Sequence, residues 1–189
     1  AMVEGTWDDT VAKGTGRGYE LSSTCIGGQN THLSNIMTRR VDHLINLAVM
    51  KRHDLSGFTG VLKNHYGTID NPGDFHDKLS STQVVLDKRF DEAIPGINAL
   101  DEVHRKTRLW LLDAVVGVCK GSTESPPDCT PNRLLAGLDP VALDTRGRQI
   151  RDESRGSAGK DPEVISDGWL QGAEKAGLGK TAVTLQKVT

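Results

Sequence analysis

The chain has 189 residues, with 23 Lys and Arg against 25 Asp and Glu, for a formal net charge of −2. That length suffices for one domain with a substantial core. The near-balanced, dispersed charge argues against general nucleic-acid binding, and no apolar stretch approaches the roughly 20 residues a membrane-spanning helix needs.

No signal or transit pattern is present. The start at VEGTWDD reads as if upstream chain, and any export signal with it, had been removed. Residues Met2–Gly5 suit a short strand, with Glu4, Trp7 and Asp8 as edge residues near its end. A helix is expected around Gly18–Cys25, followed by a turn at Gly27–Asn30.

The organising stretch begins at Leu44. Leu44–Met50 is apolar except for Asn46, and so short a run, apolar on both faces, suits a strand covered on both sides. Charges start at Lys51, Arg52 and His53, which marks the strand end, and Asp54 or Ser56 can cap a new helix. Phe58, Val61, Leu62, His65 and Ile69 then recur at helical spacing, with Gly57, Gly60, Asn64 and Gly67 on a second face. Glycine inside a helix costs roughly 1 kcal/mol relative to alanine. Their presence implies that a neighbouring strand or a ligand approaches the backbone closely.

A helix start favours acids, yet Lys51, Arg52 and His53 crowd before this one. Basic side chains and free N–H groups together make an anion site. Lys51 and His53, two apart on an extended chain, are candidates for its chemistry with Lys63 and His65. Asn64, Gly57 and Gly60 are candidates for substrate binding, whereas Arg52 reads as a solvated surface charge.

Residues 73–106 are expected to form a loop-rich excursion or lid that would bring Phe75 and His76 over the corner, although His76 by itself reads as a surface histidine. Helical turns are expected near Leu86–Ile94 and Ile97–Val103. Arg108–Val118 is a second buried strand carrying Asp113 in its middle. A carboxylate there needs a partner, with Lys51, Lys63 or a metal as the options, unless it bonds the backbone of the following loop. Leu134–Leu138 is a third strand. Asp139-Pro140 opens a helix as N-cap and first residue, with Asp144 one turn in and favoured by the helix dipole. Asp139 remains a binding candidate. Glu163–Ala176 reads as a terminal amphipathic helix and TAVTLQKV as a last strand.

Cys25, Cys119 and Cys129 contain no C-x-x-C pair, so no iron–sulfur cluster is expected from them. Cys119 reads as buried and inert, although Cys119 and Cys129 could pair across a short loop. The cysteines lean to a reducing, cytoplasmic setting. Strands alternating with helices make the fold α/β, a single domain with a mixed or parallel sheet flanked by helices. The dinucleotide, P-loop and serine-hydrolase motifs are absent from the sequence.

INLAVMKRHDLSGFTGVLKNHYGTIDNP resembles the core motif of the domain of unknown function 362 family, an N-x-x-x-x-K-x-H segment followed by a G-x-T…K-N helix. LLDAVVGV and LLAGLDPVALDT resemble that family's next two blocks, in order, so the resemblance spans roughly Trp7 to Gly179. It implies a fold and a site region, and it places Asp139 near the site. Many members carry a ferredoxin-like iron–sulfur segment or an export signal, and neither pattern occurs in this sequence. The order K-x-H, G-x-x-G, lysine, histidine is also similar to the nickel-pincer lactate racemase family. That resemblance implies Lys63 as a cofactor tether and His53, His65 or His76 as acid/base groups.

Two functions follow from these readings. One is an enzyme on a small anionic molecule, with Lys51 and Lys63 binding or polarising it, His53 or His65 moving protons, and Asp113 orienting a lysine or holding a metal. The other is a binding or accessory module serving a redox partner protein. A lysine of lowered pKa beside a histidine would favour the first, and an exposed apolar patch the second. His53, His65, His76 and Asp113 as a metal site is a third arrangement that geometry can test.

Overall fold

The computed structural model describes residues 18–76, 89–155 and 168–187. The expected strand at Met2–Gly5, with Glu4, Trp7 and Asp8, lies outside them, as do the first residues of two expected helices.

The described chain opens with a hairpin, β1 (Thr24–Ile26) and β2 (Gln29–Thr31), turned by Gly27 and Gly28 at φ 54° and 78°. Two successive positive φ angles are what a tight hairpin turn requires, and a Gly-Gly pair supplies them without strain. This replaces the helix expected at Gly18–Cys25. The turn chemistry outweighed a weak helical spacing.

A four-stranded mixed sheet follows, built from β3 (Leu44–His53), β4 (Gly57–Thr59), β5 (Thr107–Val118) and β6 (Arg133–Gly137) in the order β4-β3-β5-β6. The central pair β3–β5 is parallel, and β4 and β6 add antiparallel edges. A parallel pair needs a long crossover. Here it contains α1 (Val61–Asn64), 3-10 turns at His65–Thr68 and Pro72–Phe75, α2 (Arg89–Ala99) and α3 (Asp101–His104). Helices α4 (Pro140–Arg155) and α5 (Trp169–Lys175) follow β6.

The three expected strands are therefore present, and the fold is α/β with a mixed sheet flanked by helices. Three expectations need correction. The strand does not stop at Met50: Lys51, Arg52 and His53 continue it and pair with Thr59, Phe58 and Gly57 of β4. The segment from Phe58 is a strand, a four-residue helix and a 3-10 turn rather than one helix, although Phe58, Val61, Leu62, His65 and Ile69 are all buried as the spacing implied. Residues 181–187 form no strand.

The sheet is also not covered equally. On β3, Asn46, Ala48, Met50 and Arg52 face a core that includes Phe58, Phe90, Ile94, Leu112, Ile150 and Trp169. On its other face Ile45 (61%), Leu47 (60%) and Val49 (42%) are exposed, as is Leu134 (66%) of β6. A strand with apolar residues at both parities hides which parity is buried, so the run alone implied burial on both sides.

Candidate functional site

The corner after β4 is built around α1, a helix too short to stand on its own hydrogen bonds. Three buried polar side chains hold its backbone. Asp144 of α4 accepts from the Val61 and Leu62 N–H groups at 2.7 and 2.9 Å. The Asn46 amide of β3 donates to the Val61 carbonyl at 2.8 Å, and the Asn98 amide of α2 donates to the Leu62 carbonyl at 2.8 Å. Asn64 completes the frame, donating to the Asn46 side-chain oxygen and to the Leu47 carbonyl. The one polar break in the apolar run, Asn46, is therefore a strut for this helix.

The free N–H groups expected to receive an anion are satisfied internally, since the carboxylate at the helix start belongs to Asp144. Burial pushes Asp144 up to about 7, while its two N–H donors pull it back down. Gly60 has no room for a Cβ because Asp144 and the Phe58 ring occupy that space, and a Cβ on Gly147 would meet Leu112 and Phe58. Arg151, one helical turn beyond Gly147, donates to the Gly57 carbonyl and pairs with Asp152. One stripe of α4 thus grips the corner from Gly57 to Leu62. Gly57, at φ 72°, closes the turn after Asp54–Ser56. Gly60 answers a close approach, as expected, but by a neighbouring helix rather than by a strand or ligand; Gly57 serves a turn, and a Cβ on Gly67 would meet open space.

This frame presents Lys63. Its residue is only 8% exposed, and no carboxylate among the described residues pairs with it. Nζ lies 3.3 Å from His76 Nε2 and over the Tyr66 and Phe90 rings at 5.4 and 5.3 Å. His76 Nδ1 lies 2.8 Å from the Pro72 carbonyl, which can only accept, so Nδ1 carries the hydrogen and the neutral ring turns its Nε2 lone pair to Lys63. Tyr66 donates to the Phe75 carbonyl at 3.1 Å and stands edge-on to His76, fixing the turn that carries it.

His53, at the end of β3, completes the cluster, with its ring 5.7 Å from both His76 and Phe90. The Leu55 and Ser56 N–H groups donate to its Nδ1 at 3.1 and 3.2 Å, so the neutral ring carries its hydrogen on Nε2. Burial, then Lys63, His76 and Arg52, lower His53 to about 3. Burial lowers Lys63 to about 8. His76 is lowered by burial and by Lys63, against the opposing pull of the Pro72 carbonyl. Among the described residues the charged groups that shift His53 are basic. These shifts favour the neutral imidazoles of His53 and His76 and bring the Lys63 ammonium closer to giving up its proton at neutral pH.

The remaining sequence candidates sit apart. His65 is buried with Nε2 unpartnered among the described residues, and burial lowers it to about 4. Lys51 is half-buried on β3 opposite Thr59. Asp113 lies on the open face of the sheet opposite Val49 and Leu134, and accepts from the Val115 N–H at 2.9 Å, a backbone bond within its own strand rather than to the following loop. Asp139 caps α4 through the Ala142 N–H and also accepts from the Lys180 N–H. Arg52 is buried, paired with Asp54 and bonded to the Gly121 carbonyl, so it is no solvated surface charge. His76, a surface histidine by its sequence context, is half-buried against Lys63. Its signal was the Pro72 turn placing it within reach of the corner.

His53, His65, His76 and Asp113 do not converge to metal-ligating distance. Among the described residues the one group of three that does is Cys119, Asp128 and Cys129. Its two sulfurs form a disulfide, and Asp128 already accepts from the Cys119, Lys120 and Gly121 N–H groups. Cys119 is thus buried as expected but paired, and Cys25 is free and exposed.

Fold and cluster together define a mixed-sheet α/β protein with a buried lysine set against histidine. The chain matches the family described as Domain of unknown function (DUF362) over residues 29–148, more than half its length, and it belongs to that family. No curated protein and no solved structure matches it. The match ends short of the Trp7–Gly179 span suggested by the sequence blocks, and it contains Asn46, Lys63, His76, Asn98 and Asp144. None of the helices among the described residues is long and apolar enough to cross a membrane.

Proposed function

We propose that the protein is an enzyme that binds a small anionic molecule and moves protons on it through Lys63, His76 and His53. The observation that carries this reading is Lys63 Nζ facing the lone pair of an oriented His76, with no acid beside it among the described residues. A lysine lowered to about 8 next to a histidine is an arrangement tuned for acid–base work near neutral pH. The positive surroundings of His53, with its Nε2–H as donor, support an anionic substrate. Lys51 adds positive charge at the strand end. Gly57, Gly60 and Asn64 shape the corner, and Asp139 orders the helix that grips it. His65 and Asp113 have no contact with the cluster that would give them a catalytic role.

The test is hydrogen exchange. Incubation in heavy water with a panel of small hydroxy and oxo acids should show carbon-bound deuterium by NMR for at least one acid, with the signal lost in Lys63→Met. Absence of exchange and of binding across the panel would overturn the reading.

A second reading, an accessory module for a redox partner protein, draws support from the exposed Ile45, Leu47, Val49 and Leu134. A partner-dependent shift confined to these residues, with no small-molecule binding, would favour it. On the pincer analogy Lys63 would hold the cofactor with His53 and His76 beside it, and intact mass of wild type against Lys63→Ala would detect the attached group. The Cys119–Cys129 disulfide supports an oxidising compartment rather than the reducing one expected from sequence.

A further inference from the structure

The geometry points to Lys63 as a nucleophile that forms an imine with the carbonyl of a small oxo acid. This inference rests on the proposed function and names its substrate class. A nucleophile, a base within hydrogen-bond reach of it, and a third group orienting the base are the parts of an activated nucleophile. Lys63, His76 and the Pro72 carbonyl fill those three places at 3.3 and 2.8 Å.

Two further features set this lysine apart from a charge that merely binds anions. It is nearly buried and lacks an acidic partner among the described residues, so burial favours loss of its proton. Its backbone is fixed by Asp144, Asn46 and Asn98 from three different elements, which restricts where Nζ can go. The Tyr66 and Phe90 rings lie against the amine, and the His53 ring stands beside Phe90 and His76.

The step balances without an oxidant or reductant. His76 Nε2 takes a proton from the Lys63 ammonium, and the freed amine pair adds to the carbonyl carbon. The His76 imidazolium returns that proton to the carbonyl oxygen, and the nitrogen gives one of its own back to His76, leaving a neutral carbinolamine. His76 passes this second proton to the hydroxyl, which leaves as water while the nitrogen lone pair forms the C=N bond of a protonated imine. Amine plus carbonyl gives imine plus water. His53, whose neutral ring keeps a hydrogen on Nε2, is the donor available for the substrate's carboxylate or developing alkoxide. A neighbouring carboxylate on the substrate fits a cluster whose charged members among the described residues are basic.

The experiment is reductive trapping. Wild type, Lys63→Arg and His76→Gln are incubated at pH 7.5 with pyruvate and sodium cyanoborohydride, and the modified lysines are located by peptide mass spectrometry. Uncharged acetone serves as the control carbonyl, and pyruvate binding is followed by NMR in the same samples. The expected result is adduct concentrated on Lys63 in preference to Lys51, Lys106 and Lys180, with pyruvate favoured over acetone. Trapping in His76→Gln should slow by about a hundredfold or more, because a positioned general base supplies that order of acceleration. Adduct spread over exposed lysines with Lys63 unmodified would overturn the imine. If pyruvate binds and its binding is lost in Lys63→Arg yet no adduct is trapped, the imine falls and the anion-binding enzyme stands. If pyruvate neither binds nor is trapped, the oxo-acid assignment falls, and the heavy-water panel then decides the broader reading.

Discussion

Replacing Lys63 with methionine should make the protein more stable at neutral pH while abolishing its proposed chemistry. In the unfolded chain Lys63 keeps its proton up to about 10.5, whereas in the folded protein burial lowers it to about 8. Between those values the unfolded chain binds more protons, so the stability contributed by this residue rises with pH across that window and is lowest below pH 8. The gap corresponds to about 3 kcal/mol at pH 7. Contacts with the Tyr66 and Phe90 rings, at 5.4 and 5.3 Å, return part of it, on the order of 1 kcal/mol. Methionine preserves length and apolar contact, so Lys63→Met should gain about 2 kcal/mol in urea denaturation at pH 7. That gain should shrink toward zero as pH approaches 10.5. A variant destabilised equally at both pH values would refute the reasoning, because it would mean the ammonium is stabilised where it sits.

Asp144→Ala should cost about 3 kcal/mol by leaving two buried N–H groups without an acceptor, measured by the same denaturation. Because burial raises Asp144 to about 7 from an ordinary 3.8, its contribution is fully present below pH 3.8 and is lost as pH rises through 7, so Asp144→Asn should flatten stability across that window. Gly60→Ala should cost about 2 kcal/mol or more, since its methyl group would overlap Asp144 and Phe58. Met50→Ala should cost about 2–5 kcal/mol and Leu47→Ala about 1 kcal/mol or less, because the first faces the core and the second the open side of the sheet. Replacing both Cys119 and Cys129 by serine should cost about 3 kcal/mol for a loop of this length, and a reducing agent should lower the wild-type midpoint to match.

The strands at Leu44, Arg108 and Leu134 were legible because apolar runs bounded by charge and turn residues are local signals. Asp139-Pro140 was legible because capping is settled within one turn. The family match covers the motif that organised the reading. What local signals missed was set by pairings distant in sequence. Lys51–His53 stays in the sheet because β4 returns beside it, which charge pattern alone does not reveal. The spacing from Phe58 to Ile69 gave the buried positions correctly, yet it could not separate one helix from a strand, a short helix and a 3-10 turn filling the same core. Asp144 looked suited to its own helix dipole, but it serves a different helix 82 and 83 residues away in sequence. Of the site candidates, Lys63 and His53 come together. His76 joins them through a turn whose reach depended on tertiary placement, while Asp113 turned to its own backbone.

The most direct measurement is an NMR titration of Lys63 in protein labelled with carbon-13 at the lysine ε position, assigned by the loss of its signal in Lys63→Arg. The account predicts a midpoint near 8 and a downfield or upfield displacement of that signal when a small oxo acid is added. A midpoint near 10.5, unmoved by any anion, would contradict the claim that this lysine is held ready to give up its proton.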